Sequence, residues 1–186
     1  MSIQEILNRA RSEKDLKKRS EILTYALRED PNQEGAEFIL RELGEAHRQL
    51  GDIDAALFYL EQALDRDPGS WEILVSLGAV YSAQKQFDQS LSLYSQAYEL
   101  EGKPHILTLM SDALLGLGRT QEAEVYVQTA LRLQEKNEAM YSYYVLGKVL
   151  CAMEKYQEAL DAFEAASESG TLKTIQKWID YAKNRL

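Results

Sequence analysis

Residues 74–100 read LVSLGAVYSAQKQFDQSLSLYSQAYEL, and the spacing inside this stretch decides the fold. Leu74, Leu77, Gly78 and Tyr81 fall at i, i+3, i+4 and i+7, which places them on one face of a helix. Lys85-Gln86 interrupts that period, and Phe87, Leu91, Tyr94 and Tyr98 resume it on a new face. The stretch therefore predicts two helices joined by a short turn. Gly78 on the first helix and Ser90 on the second predict a close crossing, because a side chain larger than methyl or hydroxymethyl would hold the backbones apart. A lone Gly inside a helix costs about 1 kcal/mol relative to Ala, so a recurring one implies a packing gain that exceeds it.

Beyond this stretch the pattern recurs. Gly44 lies 34 residues before Gly78, Ser111 lies 33 after it, and Gly147 a further 36. Ala63, Ala97, Ala130 and Ala166 are separated by the same increments of 34, 33 and 36. Two small-residue series that share irregular spacings define an internal repeat. On the second helices the small places are Ala56, Ser90, Ala123 and Ala159, and four places later stand the larger Leu60, Tyr94, Val127 and Phe163. Gly51-Asp52 and Gly118-Arg119 mark turns within repeats, where Gly follows a helix C-terminus. Asp67-Pro68 and Gly102-Lys103-Pro104 separate one repeat from the next, with Pro tolerated where a helix opens.

These residues resemble the tetratricopeptide repeat, W-x2-L-G-x2-Y followed by A-x3-F and P. Leu40-x2-Leu43-Gly44-x2-His47 with Ala56-x3-Leu60 and Pro68 is one copy, and Leu74-x2-Leu77-Gly78-x2-Tyr81 with Ser90-x3-Tyr94 the next. Leu107-x2-Met110-Ser111-x2-Leu114 with Ala123-x3-Val127 is a weaker third; Tyr143-x2-Leu146-Gly147-x2-Leu150 with Ala159-x3-Phe163 is the fourth. The resemblance implies an all-α, right-handed α-solenoid of helix-turn-helix repeats in one continuous domain. Its parts are a degenerate N-terminal helix pair over 1–36, repeats over 37–70, 71–103, 104–139 and 140–170, and a capping helix over 171–186. In the degenerate pair, Leu7 stands where Gly would be and Arg19 where the second-helix Ala would be, with extra residues near Asn32–Ala36. Leu172, Ile175, Ile179, Ala182 and Leu186 line one face of the final helix, which is expected to cover the edge of the last repeat, as solenoids require.

Composition narrows the function. A hydrophobic share of 45% over 186 residues excludes a disordered chain, and one Cys excludes a disulfide framework or a thiolate zinc site. A net charge of −9 repels a phosphate backbone, so nucleic acid is not expected as a partner. No stretch near 20 residues is continuously apolar, so no membrane insertion is expected. Met1–Glu5 lacks the basic-then-apolar layout of a secretory signal, which predicts a cytoplasmic protein. His47 takes the place of the repeat's packing Tyr, His105 stands on another helix, and Cys151 lies among Leu150, Ala152 and Met153 as an inert thiol. No metal site, cofactor or catalytic constellation is expected, and the chain does not read as an enzyme.

In such a solenoid the first helix of each pair builds the inner wall. Side chains opposite the packed stripe point there: Phe38, Arg41, Glu45 and Arg48, then Val75, Ser76, Ala79 and Ser82. His105, Thr108, Asp112 and Leu115 follow, then Tyr141, Tyr144 and Lys148. A small-residue floor between aromatic flanks predicts a groove for a peptide or helix of a partner protein, in a scaffold, adaptor or assembly factor. The clamp by which related repeats hold the acidic tails of heat-shock proteins uses Lys and Asn. The matching places here carry Arg41, Glu45, Ser76, His105 and Leu109, of which only Arg41 can serve. The alternative expectation is a self-associating structural unit, a homo-oligomer formed through the C-terminal helix around Trp178.

Overall fold

The computed structural model describes residues 2–31, 34–135, 138–168 and 173–186. Among them are eleven α-helices and no strand: α1 (Ile3–Ser12), α2 (Leu16–Glu29), α3 (Ala36–Leu50), α4 (Ile53–Arg66), α5 (Trp71–Ala83), α6 (Phe87–Glu101), α7 (Pro104–Gly116), α8 (Thr120–Leu133), α9 (Met140–Ala152), α10 (Tyr156–Glu168) and α11 (Lys173–Lys183). Met1, Asn32 and Leu172, on which three of the expectations rest, lie outside the described residues. Sequence chemistry starts the helices. Ser2 and Glu5 form a reciprocal capping box on α1, Asp15, Asp52 and Ser70 cap α2, α4 and α5 with their side chains, and Pro104 opens α7. The chain divides into two compact units, Met1–Gln84 and Lys85–Leu186. The division falls in the turn between α5 and α6.

In the first unit α3 packs on α4 through the predicted pinch point. A methyl group at Gly44 would lie 2.4 Å from Leu60 Cγ and 3.1 Å from the Ala56 carbonyl oxygen, so only hydrogen fits there. Ile6, Leu7, Ala10, Leu23 and Ala26 of α1 and α2 form a core with Ile39 and Leu43 of α3, and Tyr59 of α4 leans on it. His47 holds the junction. Its Nε2 is 3.0 Å from Ser20 Oγ on α2, its Nδ1 is 3.2 Å from the capping carboxylate of Asp52, and its ring lies 5.3 Å from that of Tyr59. His47, at the place of the repeat's packing Tyr, is half-buried at the edge of this core.

In the second unit the same crossing appears twice with different chemistry. At Gly147 a methyl group would come within 2.4 Å of the Phe163 ring. At Ser111 the side chain is fully buried, and its hydroxyl donates a 2.7 Å hydrogen bond to the Ala123 carbonyl. The hydroxyl thus satisfies itself on the neighbouring helix where Gly is replaced. α11 then covers α9 and α10. Ile175 and Ala182 are buried, and the Trp178 ring stacks on Phe163 at a centroid distance of 6.2 Å. Trp178 is half-buried and belongs to this cap rather than standing free of it.

Candidate functional site

In the first unit, α3 and α5 carry the expected inner-face residues. Phe38 is 45% exposed. Arg48 grips Glu45 with two parallel hydrogen bonds of 2.8 and 2.6 Å, and Gln49 donates a third of 2.7 Å. Burial opposes ionisation of Glu45, but these donors and the charges of Arg48 and Arg41 outweigh it and hold its pKa below the ordinary value. Arg41 reaches Glu42 Oε1 at 3.3 Å, and Arg11 from α1 donates to the same oxygen at 3.1 and 2.7 Å. One carboxylate therefore serves two guanidinium groups, one from each helix. Sequence reasoning missed Arg11 and Glu42. The signal was present, since Arg11 stands 37 residues before Arg48, as Ala26 does before Ala63. Val75, Ala79 and Ser82 are half-buried on α5. Ser76 is a correction: it is 8% exposed and donates to the Glu72 carbonyl at 3.0 Å, so it belongs to the packed side of α5 rather than to an accessible wall.

In the second unit, α7 and α9 bring Asp112, Tyr141, Tyr144 and Lys148 together. Lys148 donates to Asp112 Oδ1, and the Tyr141 hydroxyl donates to Oδ2 at 3.3 Å. The Lys148 ammonium lies 5.6 Å from the Tyr144 ring centre, and the two tyrosine rings are 6.2 Å apart. Burial of the phenol, then the Asp112 charge, push the Tyr141 pKa up, so the group stays a neutral donor. Tyr144 also touches the core: its ring lies 6.3 Å from that of Phe163. His105 stands at the exposed start of α7, where desolvation and the Lys103 charge push its pKa down.

Two further expectations shift. Thr108 is fully buried, with Oγ1 2.6 Å from Ser142 Oγ, and Ser142 donates onward to Gln134 Oε1 at 2.6 Å. It ties α7 to α9 and lines no groove, because a polar side chain at that helix contact is stable only when paired inward. Leu115 is half-buried against the cluster of Leu114, Val145 and Val149 and serves packing. Cys151 is 4% exposed, and burial pushes its thiol pKa up, which suppresses the reactive thiolate. Among the described residues no three His, Cys, Asp or Glu side chains meet to hold a metal ion, and no helix is long and apolar enough to cross a membrane.

Comparison with known proteins gives two matches to family profiles described as Tetratricopeptide repeat, over residues 47–113 and 108–171. The chain is 30% identical over 151 residues to the bifunctional subunit NrfFG of the formate-dependent nitrite reductase complex of Haemophilus influenzae, covering 75% of this chain and 38% of that protein. It spans well under half the length of the curated relatives it matches. Among solved structures it is similar to a thermophilic tetratricopeptide repeat protein of Thermus thermophilus, with a TM-score of 0.77, 19% identity and 91% of each chain covered. It is also similar to a chain in the APC/C hetero-tetramer Cut9-Hcn1, with a TM-score of 0.81, 15% identity, and coverage of 91% of this chain and 33% of that one. These likenesses place the fold in the all-α solenoid class.

Proposed function

Because the chain belongs to the tetratricopeptide repeat family, whose repeats mediate protein–protein interaction and assembly, we propose that it works as a scaffold, adaptor or assembly factor that takes a peptide or helix of a partner protein on the inner faces of its first helices. In this reading the repeats over 37–70, 71–103, 104–139 and 140–170 each contribute a first-helix face. One observation carries the reading: Asp112, Tyr141 and Lys148, drawn from two helices, join an aromatic ring, a neutral donor and an ion pair on one accessible patch. A half-exposed tyrosine beside a partly buried charge is the composition of an affinity anchor. In the first unit the exposed Phe38 and the Arg41 guanidinium stand three residues apart on α3 as the corresponding probes. The chain carries no chemistry of its own in this reading.

Tyr141→Ala and Arg41→Glu test it. Affinity capture with the wild-type chain, followed by mass spectrometry, identifies the protein retained. Each variant is expected to hold that protein at least about tenfold less tightly, as loss of an interface anchor does, with an unchanged helical circular dichroism spectrum. Equal retention by both variants would refute the surface.

A further inference from the structure

The N-terminal helix pair holds a cleft of about 650 Å³ that the groove does not involve. Ile6, Ile22 and Ala26 line it, and Tyr25, 65% exposed, stands at its edge. Its charged side chains are Glu21, Glu29 and Asp30, with Arg9 as the single base. Register explains the apolar lining. Ile6 and Ile22 stand 37 residues before Leu43 and Tyr59. Leu43 and Tyr59 pack on the core of the pair that precedes them. By register the cleft corresponds to that stacking surface one pair earlier: Ile6 and Ala26 at its floor are buried, Ile22 is half-buried, and among the described residues the cleft stays open.

A surface of opposite character lies on α11. Ile175 and Ala182 turn inward, while Lys177, Tyr181 and Arg185, at i, i+4 and i+8, are exposed, as is Lys183. The Arg185 guanidinium lies 3.6 Å from the Tyr181 ring centre, which makes a flat cationic and aromatic face. Residues 173–186 carry four Lys or Arg and one acid, in a chain whose net charge is −9.

We propose that α11 of one copy docks in the α1–α2 cleft of a second copy, head to tail. Tyr181 meets Tyr25 and Ile22, and Lys177, Lys183 and Arg185 face Glu21, Glu29 and Asp30. The contact extends the stacking already made by Leu43 and Tyr59, with complementary charge setting its direction. It is heterologous, since each copy offers two different surfaces. This goes beyond the groove reading and stands apart from it.

Sedimentation velocity across concentration at low salt is the test. The wild-type chain is expected to form species larger than the monomer, which recede toward about 1 M salt, where charges are screened within about 3 Å. Glu21→Lys with Glu29→Lys, or Lys177→Glu with Lys183→Glu, is expected to weaken association about tenfold or more. The chain with all four substitutions re-associates, and circular dichroism shows each variant folded. Three results would overturn the proposal: a wild-type chain still monomeric at about 1 mM, the weak end of specific binding; association unchanged in either paired variant; or a four-substituted chain that stays monomeric. Tyr141→Ala leaves the association intact, so this interface and the groove fail separately.

Discussion

Ser90 and Ser111 are both fully buried, one at a second-helix small-residue place and the other at a first-helix one, with opposite outcomes. Ser111 donates its hydroxyl to the Ala123 carbonyl, whereas Ser90 Oγ is fully buried and among the described residues has no hydrogen-bond partner. A buried hydroxyl left unpaired costs about 1–3 kcal/mol, and the matching second-helix places carry Ala56, Ala123 and Ala159. Ser90→Ala is therefore expected to stabilise the chain by about 1 kcal/mol. Urea denaturation would show this as a higher midpoint with an unchanged slope. A lower midpoint would mean that the hydroxyl finds a partner. Tyr141 and Tyr144 show how residue-level reading reaches its limit. Helical spacing treats the two alike, yet only Tyr144 leans on Phe163. Truncating Tyr144 mixes binding with stability, and Tyr141 is the cleaner probe.

Among the helices and their connections, the turns inside repeats follow one backbone pattern whatever residue they carry. Gly51, Lys85, Gly118 and Glu154 all adopt positive φ, at 80°, 61°, 75° and 62°. The turns at Gly51, Gly118 and Glu154 also share a pair of hydrogen bonds, as in Glu154 N–H to the Cys151 carbonyl at 3.0 Å and Lys155 N–H to the Leu150 carbonyl at 2.9 Å. Left-handed backbone costs a residue with a Cβ about 1–2 kcal/mol relative to Gly. Glu154→Gly and Lys85→Gly are each expected to raise the melting temperature, by about 1 kcal/mol of stability apiece. A thermal melt followed by circular dichroism checks this, and a fall in melting temperature would show that the side chains contribute contacts of their own. Helices, turns and pinch points were legible in sequence because each rests on neighbours within one turn or on a fixed repeat length. The ion pairs were not. Glu42 meets Arg11 across 31 residues, Asp112 meets Lys148 across 36, and Glu124 meets Lys155 across 31. Periodicity assigns a side chain to a face, but the partner on the next helix depends on rotamers and on the exact stagger of two rods.

Stability of the full chain depends on covering the end of the last repeat. Ile175 and Ala182 are buried by that contact, and Trp178 stacks on Phe163. Burying a side chain such as Ile175 contributes about 1.5–3 kcal/mol. A chain ended after residue 168 is therefore expected to melt at a lower temperature and to bind a dye that reports exposed apolar surface. Unchanged melting would show the final helix to be an appendage. Fold class was readable from the recurring small residues, whereas the accessible wall was only partly so: Thr108 and Ser76 were expected on the wall but are buried, Thr108 paired with Ser142 of α9 and Ser76 with the Glu72 carbonyl of its own helix. The chain's single cysteine, Cys151, is 4% exposed. Maleimide reagents should pass it by, so a thiol engineered at position 25 or 181 would take a fluorophore alone, and energy transfer between labelled chains could then follow their meeting in real time.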